Sequence, residues 1–211
     1  MRIVIPIFPE FTALDAIGPY EVLRMLPDAR VTFVAAARGV VRTDSRMVGL
    51  HADAAFDETD SADVLVVPGG WGTRALLRDE ATLAWVRAIH ETTRWTTSVC
   101  TGSLVLAAAG LLDGLDATTH WGAVETLEKH GARYVPERVV QRGKLITAAG
   151  VSAGIDMALT LAALIAGEQV AKAIQLAVEY DPQPPFDAGS PAKAGPEIIA
   201  AHARLRERPT D

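Results

Sequence analysis

Residues 94–114 pass directly from a strand pattern to a helix pattern, and this change constrains the fold more than any other feature. The first part, ending at Val99, is rich in β-branched and aromatic residues, which favour strands. The second part, residues 104–109, contains good helix formers and is stopped by Gly110. The sequence therefore predicts a strand-to-helix turn inside an α/β sheet.

Cys100, the only cysteine, lies on this turn, and Gly102 leaves room for the main chain to turn tightly. The first amides and the dipole of the following helix would favour a negative sulfur. We therefore expect the pKa of the thiol to fall from ~8.5 into the ~3.5–7.5 range of activated cysteines. A nucleophilic role is predicted, and the alternative is a small buried hydrophobic residue.

The remaining patterns alternate between strands and helices, which predicts a mostly parallel central sheet with helices on both faces. Pro6 would remove a ladder hydrogen bond from a central first strand. Pro19 suits the first position of the helix that follows. The predicted strands and hairpins are residues 2–8, 31–37, 38–51, 63–67 and 138–148, and the other predicted helices are residues 80–91, 123–130, 153–166, 168–178 and 196–208.

Composition predicts one domain over residues 1–211, because 49% hydrophobic residues in 211 suffice for a full core. Residues 180–196 are a Pro-rich segment, of which residues 180–191 are too proline-rich for regular structure, and a C-terminal helix follows. One cysteine excludes an internal disulfide, and a net charge of −6 gives no basic surface for nucleic acid. No apolar run reaches the ~18–20 residues of a membrane span, and the N-terminus has no signal-peptide pattern, so we expect a cytoplasmic protein.

Three further sites are candidates for chemistry. Asp15 follows the first strand, where ligands bind in open α/β sheets, although a helix cap is its commoner role. The glycine-rich residues 68–72 lack the G-x-G-x-x-G spacing of a phosphate loop, so an amide donor to a reacting group is the functional interpretation. His120 is more often structural than catalytic in such a setting, unless it reaches Cys100.

Several motifs together resemble the ThiJ/PfpI superfamily, which has the class I glutamine amidotransferase-like, flavodoxin-like fold. They are similar above all to its isonitrile hydratase branch. The motifs are residues 14–23, 68–70, 98–103, 117–121, 150–156 and 179–186. The resemblance implies that Cys100 is the nucleophile, that Asp15 is its acid/base partner, and that the amides of Gly70 and Thr101 face the reacting group. It also implies that the Thr101 hydroxyl fixes the turn and that the Val151 amide holds the sulfur.

The activity implied is hydration of an isonitrile, R–NC, to an N-substituted formamide. An uncharged linear substrate needs an apolar pocket, for which Trp71, His120, Trp121 and Val151 are the expected residues. No metal or cofactor is expected, and the partners are the small-molecule substrate and a second copy in a homodimer.

Two departures separate this chain from other members of the superfamily. Protease-like members have histidine directly after the cysteine, where this chain has Thr101, and many members have glutamate where Asp15 stands. Another cysteine-dependent amidase, protease or glyoxalase-like enzyme stays open as an alternative, and it would need His120 at Cys100. A regulator-type ligand-sensing domain is the other alternative, but such a regulator needs an appended helix-turn-helix, and residues 196–211 give one short charged helix.

Overall fold

The strands were located in a computed structural model, which describes residues 1–206, so residues 207 and 208 of the predicted last helix lie outside the described residues. The strands are β1 (Arg2–Pro6), β2 (Arg30–Ala35), β3 (Gly39–Arg42), β4 (Gly49–Ala52), β5 (Ala54–Ala55), β6 (Val64–Val67), β7 (Trp95–Val99), β8 (Asp116–Ala117), β9 (Arg133–Tyr134), β10 (Val139–Arg142) and β11 (Leu145–Ala148). Seven of them form a central sheet in the order β10-β11-β7-β6-β1-β2-β5, and every neighbouring pair is parallel except β10 with β11. The mostly parallel sheet is thus confirmed. The pairs β3–β4 and β8–β9 form two small separate sheets.

The helices cover both faces of the central sheet, as predicted. They are α1 (Ala13–Leu23), α2 (Thr73–Leu76), α3 (Glu80–Thr92), α4 (Gly102–Ala108), α5 (Val124–Lys129), α6 (Ala153–Ala166), α7 (Glu168–Ala177) and α8 (Pro191–Arg206), with short 3₁₀ helices at Phe56–Glu58 and Trp121–Ala123. Among residues 1–206, none of the helices combines the length and apolarity that crossing a bilayer requires.

Alternation along the buried strands builds two cores, one on each face of the sheet. In β6, Val64 and Val66 face the core under α1, α6 and α7, whereas Leu65 and Val67 face the core under α3, α4 and α5. Successive side chains of a strand point to opposite faces, so a strand buried on both sides is apolar at every position. This explains the unbroken apolar run of the sequence.

Pro6 and Pro19 were used to predict where the first strand and the first helix lie, and the structure agrees for one of them only. Pro6 is the last residue of the central strand β1, and β6 pairs only with Ile3 and Val4, so the ladder loses little. Pro19 lies inside α1, which begins six residues earlier at Ala13, so the predicted start at Pro19 was wrong. Packing explains the difference, because α1 lies against α6 and the Pro19 ring contacts the Gly154 position.

Met1–Glu179 form one compact unit, and the described residues from Tyr180 onward form a second. Residues 180–190 contain no helix or strand, as expected for this proline-rich segment. The helix α8 is interrupted at Gly195, whose φ is 73°, so its longer part begins at the expected Pro196. An ion pair joins Lys193 to Asp187 at 2.6 Å. One domain over residues 1–211 stays a prediction.

The turn into α4 depends on close contact between backbones. A Cβ at Gly102 would lie 2.1 Å from the Val67 carbonyl oxygen and 2.8 Å from that of Pro68. These are backbone atoms, which cannot move aside as a flexible side chain can. The absence of a side chain at Gly102 therefore allows the start of α4 to pack on the end of β6.

We expect Gly102→Ala to lower the free energy of unfolding by about 2 kcal/mol, because overpacking of this kind costs roughly 1–3 kcal/mol. Urea denaturation followed by tryptophan fluorescence measures the change. Gly189→Ala is the matched control, since nothing lies within 4 Å of a Cβ there. Wild-type stability in Gly102→Ala would show that the contact relaxes without cost.

Candidate active site

Cys100 occupies the turn between β7 and α4 with a φ of 57°, in the left-handed region that residues other than glycine seldom adopt. Hydrogen bonds hold this conformation. The Cys100 N–H lies 3.1 Å from the carbonyl oxygen of Ala148 and 2.8 Å from that of Ala149. The Cys100 carbonyl accepts the hydroxyls of Ser103 and Thr119, each at 3.1 Å. The strained backbone is thus fixed on both sides, as in nucleophile turns of α/β enzymes.

Asp15 lies in the first turn of α1 and is fully buried. Its Oδ2 accepts the Gly69 N–H at 2.9 Å. Its Oδ1 has no nitrogen or oxygen partner among the described residues, and the hydrogen-bonding side chain beside the carboxyl is the Cys100 thiol. A Cβ at Gly69 would lie 2.8 Å from Oδ2 and 2.5 Å from the Thr101 nitrogen. Glycine is therefore needed for the loop to reach both groups.

The pKa of Asp15 is raised from 3.8 to about 7. The main cause is burial, which removes water from the charged carboxylate. Hydrogen bonds from Gly69 and Cys100 lower this pKa, and the negative charge of Asp44 raises it. A carboxyl with such a pKa exchanges a proton readily near neutral pH.

The pKa of Cys100 is raised to about 12, so the expected lowering was wrong. Burial is the largest cause, and the charge of Asp15 is the next; hydrogen bonds from the Val151 and Thr101 amides lower the pKa but do not compensate. The thiol is therefore neutral at pH 7 unless a base removes its proton.

Thr101 connects the turn to the glycine-rich loop. Its hydroxyl accepts the Gly70 N–H at 2.9 Å and donates to the Gly70 carbonyl at 3.1 Å. The buried Thr73 hydroxyl donates to the same carbonyl at 2.8 Å. Since the Gly70 N–H is directed at Thr101, its action as a donor to a reacting group stays a prediction.

Val151 has a φ of 24°, which is unusual for a β-branched residue. Its N–H is one of the two amides that hydrogen-bond the Cys100 sulfur, and the other is that of Thr101. The backbone strain at Val151 accompanies this contact. Strain of this sort is often concentrated at functional sites.

His120 lies beside the site but does not act on the thiol pKa, which is shifted by other groups. Its Nδ1 accepts the Gly122 N–H at 3.1 Å. Its ring stacks on Trp121 with centroids 5.5 Å apart, and a Cβ at Gly150 would lie 3.0 Å from Cδ2. His120 therefore packs against the residue that precedes Val151.

The predicted pocket residue Trp71 is 55% exposed, and the Arg74 guanidinium lies 4.4 Å from its ring centroid. The structure also has an open cleft of about 750 Å³, but none of the predicted site residues lines this cleft. Its lining residues are Pro9, Glu10, Arg42, Thr43, Arg46 and Met47. Among residues 1–206, no cluster of three or more His, Cys, Asp and Glu side chains could hold a metal ion.

Three residues of the site were missed by sequence reasoning: Gly69, Thr73 and Thr119. Gly69 and Thr119 lie in recognised motifs, so the motifs themselves were the signal. Thr73 gave none, because a threonine in a short helix looks like any surface residue until its hydroxyl is found buried against Gly70.

The chain is similar in sequence and in structure to several known proteins. Residues 1–164 match the DJ-1/PfpI family. The chain is 46% identical over 204 residues to isonitrile hydratase from Pseudomonas putida, covering 97% of this chain and 89% of that one. It is 31% identical over 174 residues to the HTH-type transcriptional regulator CdhR from Pseudomonas aeruginosa, covering 78% of this chain and 51% of the regulator. A crystal structure of a ThiJ/PfpI family protein from Pseudomonas syringae superimposes with a TM-score of 0.92 at 37% identity, covering 97% of this chain and 85% of that chain.

The raised pKa of Asp15 predicts that Asp15→Asn stabilises the protein more at high pH than at low pH. Between pH ~4 and ~7 the folded state binds more protons at Asp15 than the unfolded state, so wild-type stability falls as pH rises. Asparagine removes this loss. The gain in free energy of unfolding should be larger at pH 8 than at pH 4.5 by on the order of 3 kcal/mol.

Urea denaturation at the two pH values measures this difference. Asp57→Asn is the matched control, because it removes the same charge from an exposed position. An equal effect of Asp15→Asn at both pH values would contradict the raised pKa.

Proposed function

The chain belongs to the DJ-1/PfpI family, and from this premise we propose that it is an isonitrile hydratase, a cofactor-independent lyase that converts R–NC to an N-substituted formamide. The observation that carries the proposal is the pair formed by the buried Cys100 thiol and the buried Asp15 carboxyl. The likeness to the Pseudomonas putida isonitrile hydratase supports the choice of substrate class.

Asp15 acts first as a base in this proposal. Its pKa of about 7 leaves a sizeable ionised fraction at neutral pH, and the Cys100 thiol is still protonated. Asp15 accepts the thiol proton as the sulfur attacks the terminal isonitrile carbon and the C–S bond forms. The raised pKa of the thiol disfavours a free thiolate before substrate arrives, so proton removal and attack belong to one event.

Asp15 then acts as an acid. It delivers the same proton to the former isonitrile carbon, which gives a thioimidate, R–N=CH–S–Cys100, and leaves the carboxylate ionised again. Water adds to the thioimidate carbon, with its hydroxyl on carbon and its other proton on nitrogen. The C–S bond breaks as the hydroxyl proton returns to sulfur, so the product is R–NH–CHO and the thiol is restored.

Backbone amides support charge in these steps. The Thr101 and Val151 amides hydrogen-bond the sulfur, which gains negative charge as its proton moves to Asp15 and the C–S bond forms. Gly70 contributes its amide only if the Thr101 hydroxyl releases it, so we assign Gly70 and the Thr101 hydroxyl a role in shaping the loop.

The substrate pocket proposed here is formed by Trp71, His120, Trp121 and Val151. Each is connected to the turn: Trp71 follows Gly70, His120 follows the Thr119 that binds the Cys100 carbonyl, and Val151 contacts the sulfur. Their aromatic and apolar surfaces suit an uncharged substituent.

The match to a transcription regulator supports a second candidate, a ligand-sensing domain of the same fold. A sensor would bind a small molecule at the same site without turnover. Measurement of product separates the two candidates, since only the enzyme releases a formamide.

We expect Cys100→Ala to abolish hydration of an aryl isonitrile, because Cys100 is the only cysteine of the chain and its sulfur forms the bond to the isonitrile carbon. Asp15→Asn should lower kcat by on the order of 10²–10⁴-fold, the loss typical of a removed general acid/base. His120→Ala should lower kcat far less than either, because the groups that shift the thiol pKa do not include His120. An ultraviolet assay measures turnover, with methylglyoxal and a peptide as comparison substrates.

Circular dichroism of each variant is the control for folding. Equal loss of activity in His120→Ala and Cys100→Ala, with the fold intact, would favour a Cys-His enzyme. Binding of the isonitrile to wild-type protein without formamide release would favour the sensor.

A homodimer in the cytoplasm completes the proposal. Apolar side chains on the β3–β4 hairpin support self-association: Val40 is 63% exposed and Met47 is 83% exposed. Size-exclusion chromatography with light scattering should give twice the 22.4 kDa chain mass. A monomer at all concentrations would contradict the dimer.

A further inference from the structure

Asp44, on the loop after β3, is connected to Asp15 by an unbroken set of hydrogen bonds. Its Oδ2 accepts the Thr12 hydroxyl at 2.8 Å. The Thr12 N–H donates to the Gly69 carbonyl at 2.9 Å, and the Gly69 N–H donates to Asp15 Oδ2 at 2.9 Å. The Asp15 N–H returns to the Thr12 carbonyl at 3.1 Å. Thr12 therefore holds the start of α1, the glycine-rich loop and Asp44 in one geometry.

We propose that Asp44 is a positioning residue for proton transfer by Asp15, which it holds against the Cys100 thiol through Thr12 and Gly69. Asp44 touches neither substrate nor sulfur in this role. The inference rests on the proposed function for its effect on turnover, while the coupling of the two carboxyls can be measured without substrate.

The loop that carries Asp44 is itself fixed. The Asp44 N–H donates to the Phe11 carbonyl at 3.0 Å, and Phe11 forms β-bridges with both Thr43 and Gly70. The buried Thr43 hydroxyl donates to the Val48 carbonyl at 3.1 Å. Asp44 is thus held in place on its backbone side, as a residue that positions another must be.

The hydroxyl of Thr12 has no role in capping its own helix. Thr12 is the N-cap of α1, yet it makes no side-chain capping hydrogen bond, because its hydroxyl is directed at Asp44. An N-cap threonine usually satisfies an amide of the first turn. At Thr12 the hydroxyl binds the Asp44 carboxylate instead, so the first turn of α1 lacks a side-chain cap.

The charge of Asp44 acts on Asp15 in addition to the hydrogen-bonded contacts. The negative charge of Asp44 raises the pKa of Asp15, in the same direction as burial. The other charged side chains on the segments hydrogen-bonded to this loop are Glu10, Arg42 and Arg46, of which Arg46 pairs with Glu10 at 3.5 Å. Asp44 therefore affects both the place of the Asp15 carboxyl and its readiness to hold a proton.

Two substitutions separate these effects. Asp44→Asn removes the charge but keeps an oxygen that can accept the Thr12 hydroxyl, whereas Thr12→Val removes the hydroxyl and keeps the charge. Thr12→Ser is the conservative variant that should restore the contact. Asp57→Asn, at an exposed position, is the matched control for loss of one negative charge.

The titration of Asp15 is followed by carboxyl ¹³C NMR in the free protein, with Asp15→Asn to assign the signal. We expect a lower midpoint in Asp44→Asn and an unchanged one in Asp57→Asn. The limb of the pH profile of kcat/KM that reports Asp15 in the free enzyme should move to lower pH by the same amount, whichever form of Asp15 is active. Thr12→Val should lower kcat on the order of 10-fold, since misplaced catalytic groups are costly, and Thr12→Ser should retain wild-type kcat.

Wild-type kcat in Thr12→Val would overturn the positioning role of Asp44, and an unchanged Asp15 midpoint in Asp44→Asn would overturn the contribution of its charge. A Thr12→Ser variant as impaired as Thr12→Val would also overturn the positioning role, because the hydroxyl contact would then not be the cause. If wild-type protein hydrates no isonitrile but the midpoint falls as expected, the proposed substrate fails and the coupling of Asp44 to Asp15 stands.

Discussion

A buried carboxyl beside a buried thiol is the constraint on which the rest of this structure depends. Asp15 and Cys100 lie in contact with little water, so two negative charges there would be costly, and the pair favours sharing one proton. Burial is the largest cause of the raised pKa of each group, and the charge of Asp15 raises the pKa of Cys100 further. The glycine-rich loop, the strained turn and the Val151 amide all serve to hold that proton between a carboxyl and a sulfur.

The sheet provides the rigidity that this arrangement needs. Cys100 follows β7, a central strand, and the N–H of Cys100 is held by the chain that follows β11. Asp15 follows β1 and Gly69 follows β6, so three neighbouring strands end at the site. Ligand sites of parallel sheets lie at the carboxyl ends of strands, where loops can differ while the sheet stays the same. Regulators and enzymes of this fold can therefore share one scaffold.

Most of the fold could be predicted because local patterns and tertiary structure agree. The unbroken apolar run of β6, the amphipathic α3 and the hairpin of β10 and β11 were all recognisable from periodicity and turn residues. The start of α1 was not, because Pro19 is tolerated inside that helix by packing against α6. The pKa of Cys100 was also mispredicted, since sequence shows a helix after the cysteine but shows neither the burial of the thiol nor the charge of Asp15 beside it.

The sequence by itself placed one cysteine on a strand-to-helix turn, one acid after the first strand, and glycines in the loop between them. It could do so because turn geometry restricts which residues fit, and those restrictions are local. The pairing of Asp15 with Cys100 came from the resemblance to the ThiJ/PfpI superfamily. Only the tertiary structure decided the protonation of the pair and the partners of Asp15. Burial, the charge of Asp44 and the contacts of Thr12 and Thr73 join residues far apart in the chain, so no local pattern encodes them.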